Sequence, residues 1–215
     1  MIHKSWKPFF KSNEERLNHI FEFIQQDPNT IPNLDCIYKP FELPLSELNV
    51  VIVGQNPYNT APGIANGIAF SIDEGTDVTA TLRVISKELD IEYGKPLEDY
   101  TLSHWIKQGV LLLNSSMTIN LKDTEPEFSH EDIWSFFMEN LLYWISRNKP
   151  HTIFMLWGKS ANRYTKVLKG ADVTVMSTPF PLQRSTEGKS FLNSGVFEKC
   201  NSALSKVGKG KINWC

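Results

Sequence analysis

The chain of 215 residues sets 22 basic against 24 acidic side chains, a net charge of −2, and 41% of it is hydrophobic. That balance suits one globular domain and excludes a protein that holds nucleic acid through a global basic excess. Its three cysteines, Cys36, Cys200 and Cys215, are odd in number and far apart, which speaks against a disulfide framework or a zinc site and for a reducing, intracellular compartment.

No apolar run approaches the ~20 residues that span a bilayer, and no apolar stretch follows the opening Met-Ile-His-Lys-Ser-Trp, so no membrane association and no secretory leader are expected. Lys199, Lys206, Lys209 and Lys211 gather near the C-terminus, as a local basic patch or as a solvated tail.

Leu17, Ile20, Phe21 and Ile24 recur at helical spacing and predict a helix over residues 13–26, with Ser12 or Asn13 as its cap and Glu15 in its first turn. Four of the twelve prolines fall in residues 28–45, which read as an irregular connection hugging the surface. Val50-Val51-Ile52-Val53 is a β-branched run without polar alternation, the pattern of a buried strand in a parallel sheet. It stops at Gly54-Gln55-Asn56-Pro57, where the glycine permits close backbone approach and the proline ends the strand. Gly63 to Ser71 contains a second apolar stretch, predicted to hold a short strand ending at Phe70. Thr79 to Leu89 reads as a helix with Leu82, Ile85, Ser86 and Leu89 on one face, and Leu102 to Gln108 as a shorter one stopped by Gly109.

Val110 to Asn114 is the next buried strand. An amphipathic helix follows over His130 to Arg147, then a strand over Thr152 to Gly158, a helix over Lys159 to Leu168, a strand over Val173 to Ser177 and a last helix over Phe197 to Val207. This alternation predicts an α/β three-layer sandwich whose central, mainly parallel four-stranded sheet is flanked by helices.

Open α/β sheets bind ligands beyond the carboxyl ends of their strands. Those ends are Gln55-Asn56-Pro57-Tyr58, Asn114-Ser115, Trp157-Gly158-Lys159-Ser160 and Thr178-Pro179-Phe180-Pro181-Leu182, with Phe70-Ser71 between. Each alone has a bland explanation as turn, core or stiff surface loop. As a set they offer flat aromatics, a carboxamide and backbone amides, without a metal cluster, a phosphate loop or a Ser-His-Asp set, so no cofactor is expected. Such a pocket suits a flat, neutral, hydrogen-bonding ring. A carboxamide donates and accepts at once and can read a nucleobase edge. A phenyl ring can stack on the base for roughly 1–3 kcal/mol. A base in a duplex must first be flipped out.

At these residues the chain resembles the family 1 uracil-DNA glycosylases, from about Trp6 to Trp214. Gly54-Gln55-Asn56-Pro57-Tyr58-Asn59 is similar to the family's GQDPYH, and Asn66-Gly67-Ile68-Ala69-Phe70-Ser71 to its HGLxFSV. Lys107 to Asn114 reproduces KQGVLLLN without change. Leu156-Trp157-Gly158 matches LLWG, Thr178 to Leu182 stands where the family has HPSPL, and Lys211 to Trp214 is similar to PIDW.

The resemblance implies that Phe70 stacks on uracil, Asn114 reads its Watson–Crick edge, Tyr58 excludes a 5-methyl group, Gln55 contributes backbone and Leu182 wedges into the duplex. Lys159, Ser160 and Arg184 are the expected phosphate contacts. The catalytic positions depart from the pattern. Asn56 replaces the Asp that positions water and offsets the sugar cation, Thr178 the His that supports charge on the base, Phe180 the Ser that helps bind phosphate, and Asn59 the closing His. The family's proline-rich loop is not visible in Glu74 to Ala80.

Two function classes stay open: a DNA glycosylase, weak on uracil or acting on another modified base, and a catalytically silent base- or DNA-binding module. Whether Asp73, Glu74 or Asp77 reaches the pocket discriminates them. The expected partners are DNA, single-stranded or duplex with a flipped base, and a protein inhibitor of such glycosylases; the chain is expected to act as a monomer.

Overall fold

In the computed structural model, residues 1–60, 63–121, 130–184 and 188–215 are described. In chain order they form α1 (Lys7–Ser12), α2 (Glu14–Ile24), β1 (Thr30–Ile31), β2 (Val50–Gly54), α3 (Ala80–Tyr93), α4 (Ser103–Ile106), β3 (Val110–Asn114), β4 (Ile119–Asn120), α5 (His130–Asn148), β5 (Ile153–Trp157), α6 (Lys159–Asn162), β6 (Thr174–Thr178) and α7 (Val196–Lys206), joined by 3-10 turns.

The apolar runs pair in the order β3-β2-β5-β6, all parallel. Alternate residues of a strand face opposite ways, and both faces here are covered. Val51, Val53, Leu111, Leu113, Phe154 and Leu156 pack under α1, α2 and α5. Val50, Ile52, Val110, Leu112, Ile153 and Met155 pack under α3, α4 and α7. Double burial is why β2, β3 and β5 are written without polar alternation, while β6, at the sheet edge and only partly buried, keeps Thr174, Ser177 and Thr178; helices on both faces make the three-layer sandwich.

Three readings of the sequence need correction. Residues 28–45 do not merely hug the surface: Ile37 and Phe41 are fully buried, because 3-10 turns fold their side chains into the core beside Trp6. No strand ends at Phe70; positive φ at Gly67 (92°) and Phe70 (67°) breaks the extended backbone. The helix after β5 is a short α6 that continues as a 3-10 turn, Arg163–Lys166. A two-stranded antiparallel ribbon, β1 with β4, joins Thr30-Ile31 to Ile119-Asn120 and has no counterpart in the sequence pattern.

Candidate functional site

Parallel register sets the exits of β2 and β3 side by side, with Gly54 opposite Asn114. Beyond them the Ser115 N–H donates to the Gly54 carbonyl and the Ser116 N–H to that of Gln55, each over 3.1 Å. A Cβ on Gly54 would stand 2.5 Å from Phe70 Cζ and 3.1 Å from Asn114 Oδ1, so only glycine lets ring and carboxamide meet against this backbone.

The segment carrying Phe70 is held by buried Asn66. Its Oδ1 accepts from the Ile68 N–H (3.1 Å), and its Nδ2 donates to Ser71 Oγ and Asp73 Oδ1, both at 2.9 Å. Tyr58 Oη donates to the Phe70 carbonyl (2.7 Å). Burial raises the Tyr58 pKa, a hydrogen bond with the Thr79 side chain opposes the rise, and the phenol is neutral. Trp157 backs the Phe70 ring at a centroid distance of 4.9 Å.

These elements enclose a cavity of about 270 Å³. Gln55, Asn56, Tyr58, Phe70 and Asn114 all line it, and Leu182 lines its rim, half exposed. Thr178 does not: it closes β6, is buried, and its carbonyl accepts the Gly158 N–H (2.8 Å). Lys159 and Ser160 open α6, and Lys159 and Arg184 are exposed, all outside the lining. Among the described residues no side chain lining the cavity is charged, and no His, Cys, Asp and Glu cluster forms a metal site. Asp73, Glu74 and Asp77 are exposed and do not line the cavity.

Phe180 also lines the cavity, 6.3 Å from Phe70 between ring centroids. Asn66 and Phe180 are named in the sequence reading only as parts of family segments, and neither is given a place in the pocket there. The Asn-Gly pair at 66–67 was a turn signal that pointed to the first.

A chemical pocket of this kind, neutral and aromatic on one wall with a carboxamide at its floor, can hold a planar base and orient water, but carries no general base. The family model of the uracil DNA glycosylase superfamily matches residues 40–205. The crystal structure of mimivirus uracil-DNA glycosylase is similar to this chain with a TM-score of 0.85 and 21% identity, covering 99% of this chain and 87% of that one. A point variant of mimivirus UNG in complex with UGI matches at TM-score 0.85 and 22% identity, over 100% and 89%. The UNG structure from Nitratifractor salsuginis matches at 0.66 and 19%, over 95% and 91%. At these identities the structures establish the shared fold.

Proposed function

Since the chain belongs to the uracil-DNA glycosylase superfamily, we propose that it is a DNA glycosylase, hydrolysing the N-glycosidic bond of a flipped-out uracil or another modified pyrimidine, slowly on uracil. The observation that carries this reading is the convergence of Asn56, Tyr58, Phe70 and Asn114 on one cavity at the strand carboxyl ends.

In this reading Phe70 stacks on the extruded base and Asn114 pairs with its edge through both functions of its amide. Tyr58, locked to the Phe70 carbonyl, fills the space a 5-methyl group needs. The Asn56 carbonyl oxygen orients the attacking water. Being neutral, it neither accepts the proton nor offsets the oxocarbenium-like sugar. Thr178 stands where the family places a donor to the base and lies outside the lining, so the leaving base gains little from it. Leu182 holds the gap left by the flipped nucleotide, with Lys159, Ser160 and Arg184 on phosphates. DNA is the partner. On the precedent of the mimivirus complex, a protein inhibitor of these enzymes is proposed as a second one, with the chain acting as an intracellular monomer.

The uncharged lining favours a second reading, a catalytically silent base- or DNA-binding module. Single-turnover release of uracil from single-stranded DNA decides between them. The first reading expects slow excision by wild type and a further loss with Asn114→Ala. Wild-type binding of uracil-containing DNA without any excision supports the second.

A further inference from the structure

Phe180 carries an aromatic ring where the resembling family carries a hydroxyl for phosphate. Its place is fixed on three sides. Pro179 and Pro181 flank it, the Gln183 N–H donates to its carbonyl (2.8 Å), and Gly158, at φ 92°, lets its Cβ come so near that a Cβ on the glycine would stand 2.9 Å away. The ring is half-buried, lines the cavity and lies 6.3 Å from Phe70 at 34°.

That spacing decides what the ring can do. Stacked planes lie about 3.4 Å apart, so one base between two rings needs about 7 Å and near-parallel faces. Phe70 and Phe180 are closer than this and tilted. They do not clamp the same base. The turn that carries Phe180 also projects Leu182 into solvent, so the ring stands beside an exposed leucine that lines the same cavity.

We propose that Phe180 is a second stacking platform, which takes the base next to the extruded nucleotide and gives the protein a site for single-stranded DNA. This rests on the glycosylase reading of the cavity for the identity of the extruded base, and on geometry for the platform itself. Electrostatics leave room for it. No lining side chain among the described residues is charged, and the phosphate contacts proposed above are few, with Lys159 and Arg184 their only cations, so stacking supplies much of the affinity.

The test titrates the full chain with an oligothymidylate of about ten nucleotides containing no uracil, by fluorescence anisotropy, for wild type, Phe180→Leu and Phe180→Tyr. Leucine restores most of the packing but cannot stack; tyrosine can do both. The expected result is a loss of about tenfold with leucine and about twofold or less with tyrosine. The slope of log Kd against log salt stays the same for all three, because no phosphate contact changes. Leucine binding like wild type, leucine and tyrosine weakened alike, a slope altered by leucine, or wild type failing to bind the oligomer would each overturn the proposal. Should the leucine variant unfold, Phe180→Trp decides, with wild type as background: a base stacked on the new indole quenches its fluorescence when the oligothymidylate binds, and no added quenching overturns the proposal. Since the oligothymidylate holds no uracil, a missing excision activity sinks the glycosylase reading and leaves the platform standing.

Discussion

The Tyr58 hydroxyl donates to the Phe70 carbonyl over 2.7 Å, joining the loop after β2 to a phenylalanine whose φ is +67°. A left-handed conformation at a non-glycine residue costs on the order of 1–3 kcal/mol and persists only where its surroundings impose it. Tyr58 from one side and Asn66 from the other impose it here, and the ring is thereby turned into the cavity rather than along a strand.

Tyr58→Phe removes the donor and leaves a carbonyl short of its partner. The expected cost is about 1–3 kcal/mol, seen as a lower midpoint of urea unfolding at an unchanged m-value. An unchanged midpoint would mean that water or a rearranged loop satisfies Phe70 and that Asn66 alone holds the turn.

Gly54→Ala places a methyl group 2.5 Å from Phe70 Cζ and 3.1 Å from Asn114 Oδ1. Strand β2 is paired on both sides, so the fold should survive with an overpacking cost of about 1–3 kcal/mol. Base discrimination should suffer more, because both displaced groups line the cavity. Binding of uracil-containing against thymine-containing single strands measures it. Preserved discrimination in the alanine variant would show that Phe70 and Asn114 act independently of their contact with this backbone.

Three strands of the main sheet, β2, β3 and β5, are legible because each is buried on both faces and so is almost wholly apolar; β6, partly buried, shows through Val175, Met176 and the preceding Val173. β3 has the bounds read from the sequence, Val110–Asn114, while β2 and β6 each run one residue further, since Gly54 and Thr178 still pair with Asn114 and Trp157 while carrying no strand signal of their own. Convergence of Gln55, Asn56, Tyr58 and Asn114 followed from parallel pairing alone. What escaped is non-local or irregular. β1 and β4 are two residues each, too short for a period. Ile37 and Phe41 enter the core from 3-10 turns, where neither alternation nor helical spacing applies. Ile68-Ala69-Phe70 is apolar and so reads as a strand end, whereas the Asn66 side chain bends the chain just before it.

Away from the cavity, α3 clamps the start of α7. Glu88, fully buried, accepts from the Asn193 N–H (2.6 Å) and Gly195 N–H (2.9 Å), and Glu92 from the N–H groups of Phe197 (3.2 Å) and Glu198 (2.6 Å). Burial above all, and the adjacent Glu88, push the Glu92 pKa up to about 7 against those backbone bonds. An acid with a folded-state pKa above its unfolded value binds its proton more tightly when folded. Its contribution to stability is therefore full below about pH 4.5 and declines as pH rises through 7. Relative to Glu92→Gln, wild type should lose unfolding free energy between pH 5 and pH 8. An equal difference at both pH values would show that Glu92 is ionised throughout.

The final prediction concerns Asn56. As a glycosidic bond to a base breaks, positive charge grows on the sugar and negative charge on the base. The cavity offers the sugar no charge at all, since no lining side chain among the described residues is ionised. Asn56→Asp supplies one, together with an oxygen that can take the water's proton. A preorganised electrostatic group is typically worth roughly a hundred- to a thousandfold in rate. Asn56 is exposed, so solvent screens the new charge, and a gain of about ten- to a hundredfold is expected. Adding Thr178→His should raise the rate again, since an imidazole reaches further from the end of β6 than a hydroxyl, though members of one catalytic unit are rarely additive. Single-turnover cleavage of uracil-containing single-stranded DNA by wild type and both variants measures the effect. If the double variant folds, binds the DNA and still releases no uracil, the missing charges are not what limits this protein, and a different modified base, or binding without chemistry, becomes the reading to pursue.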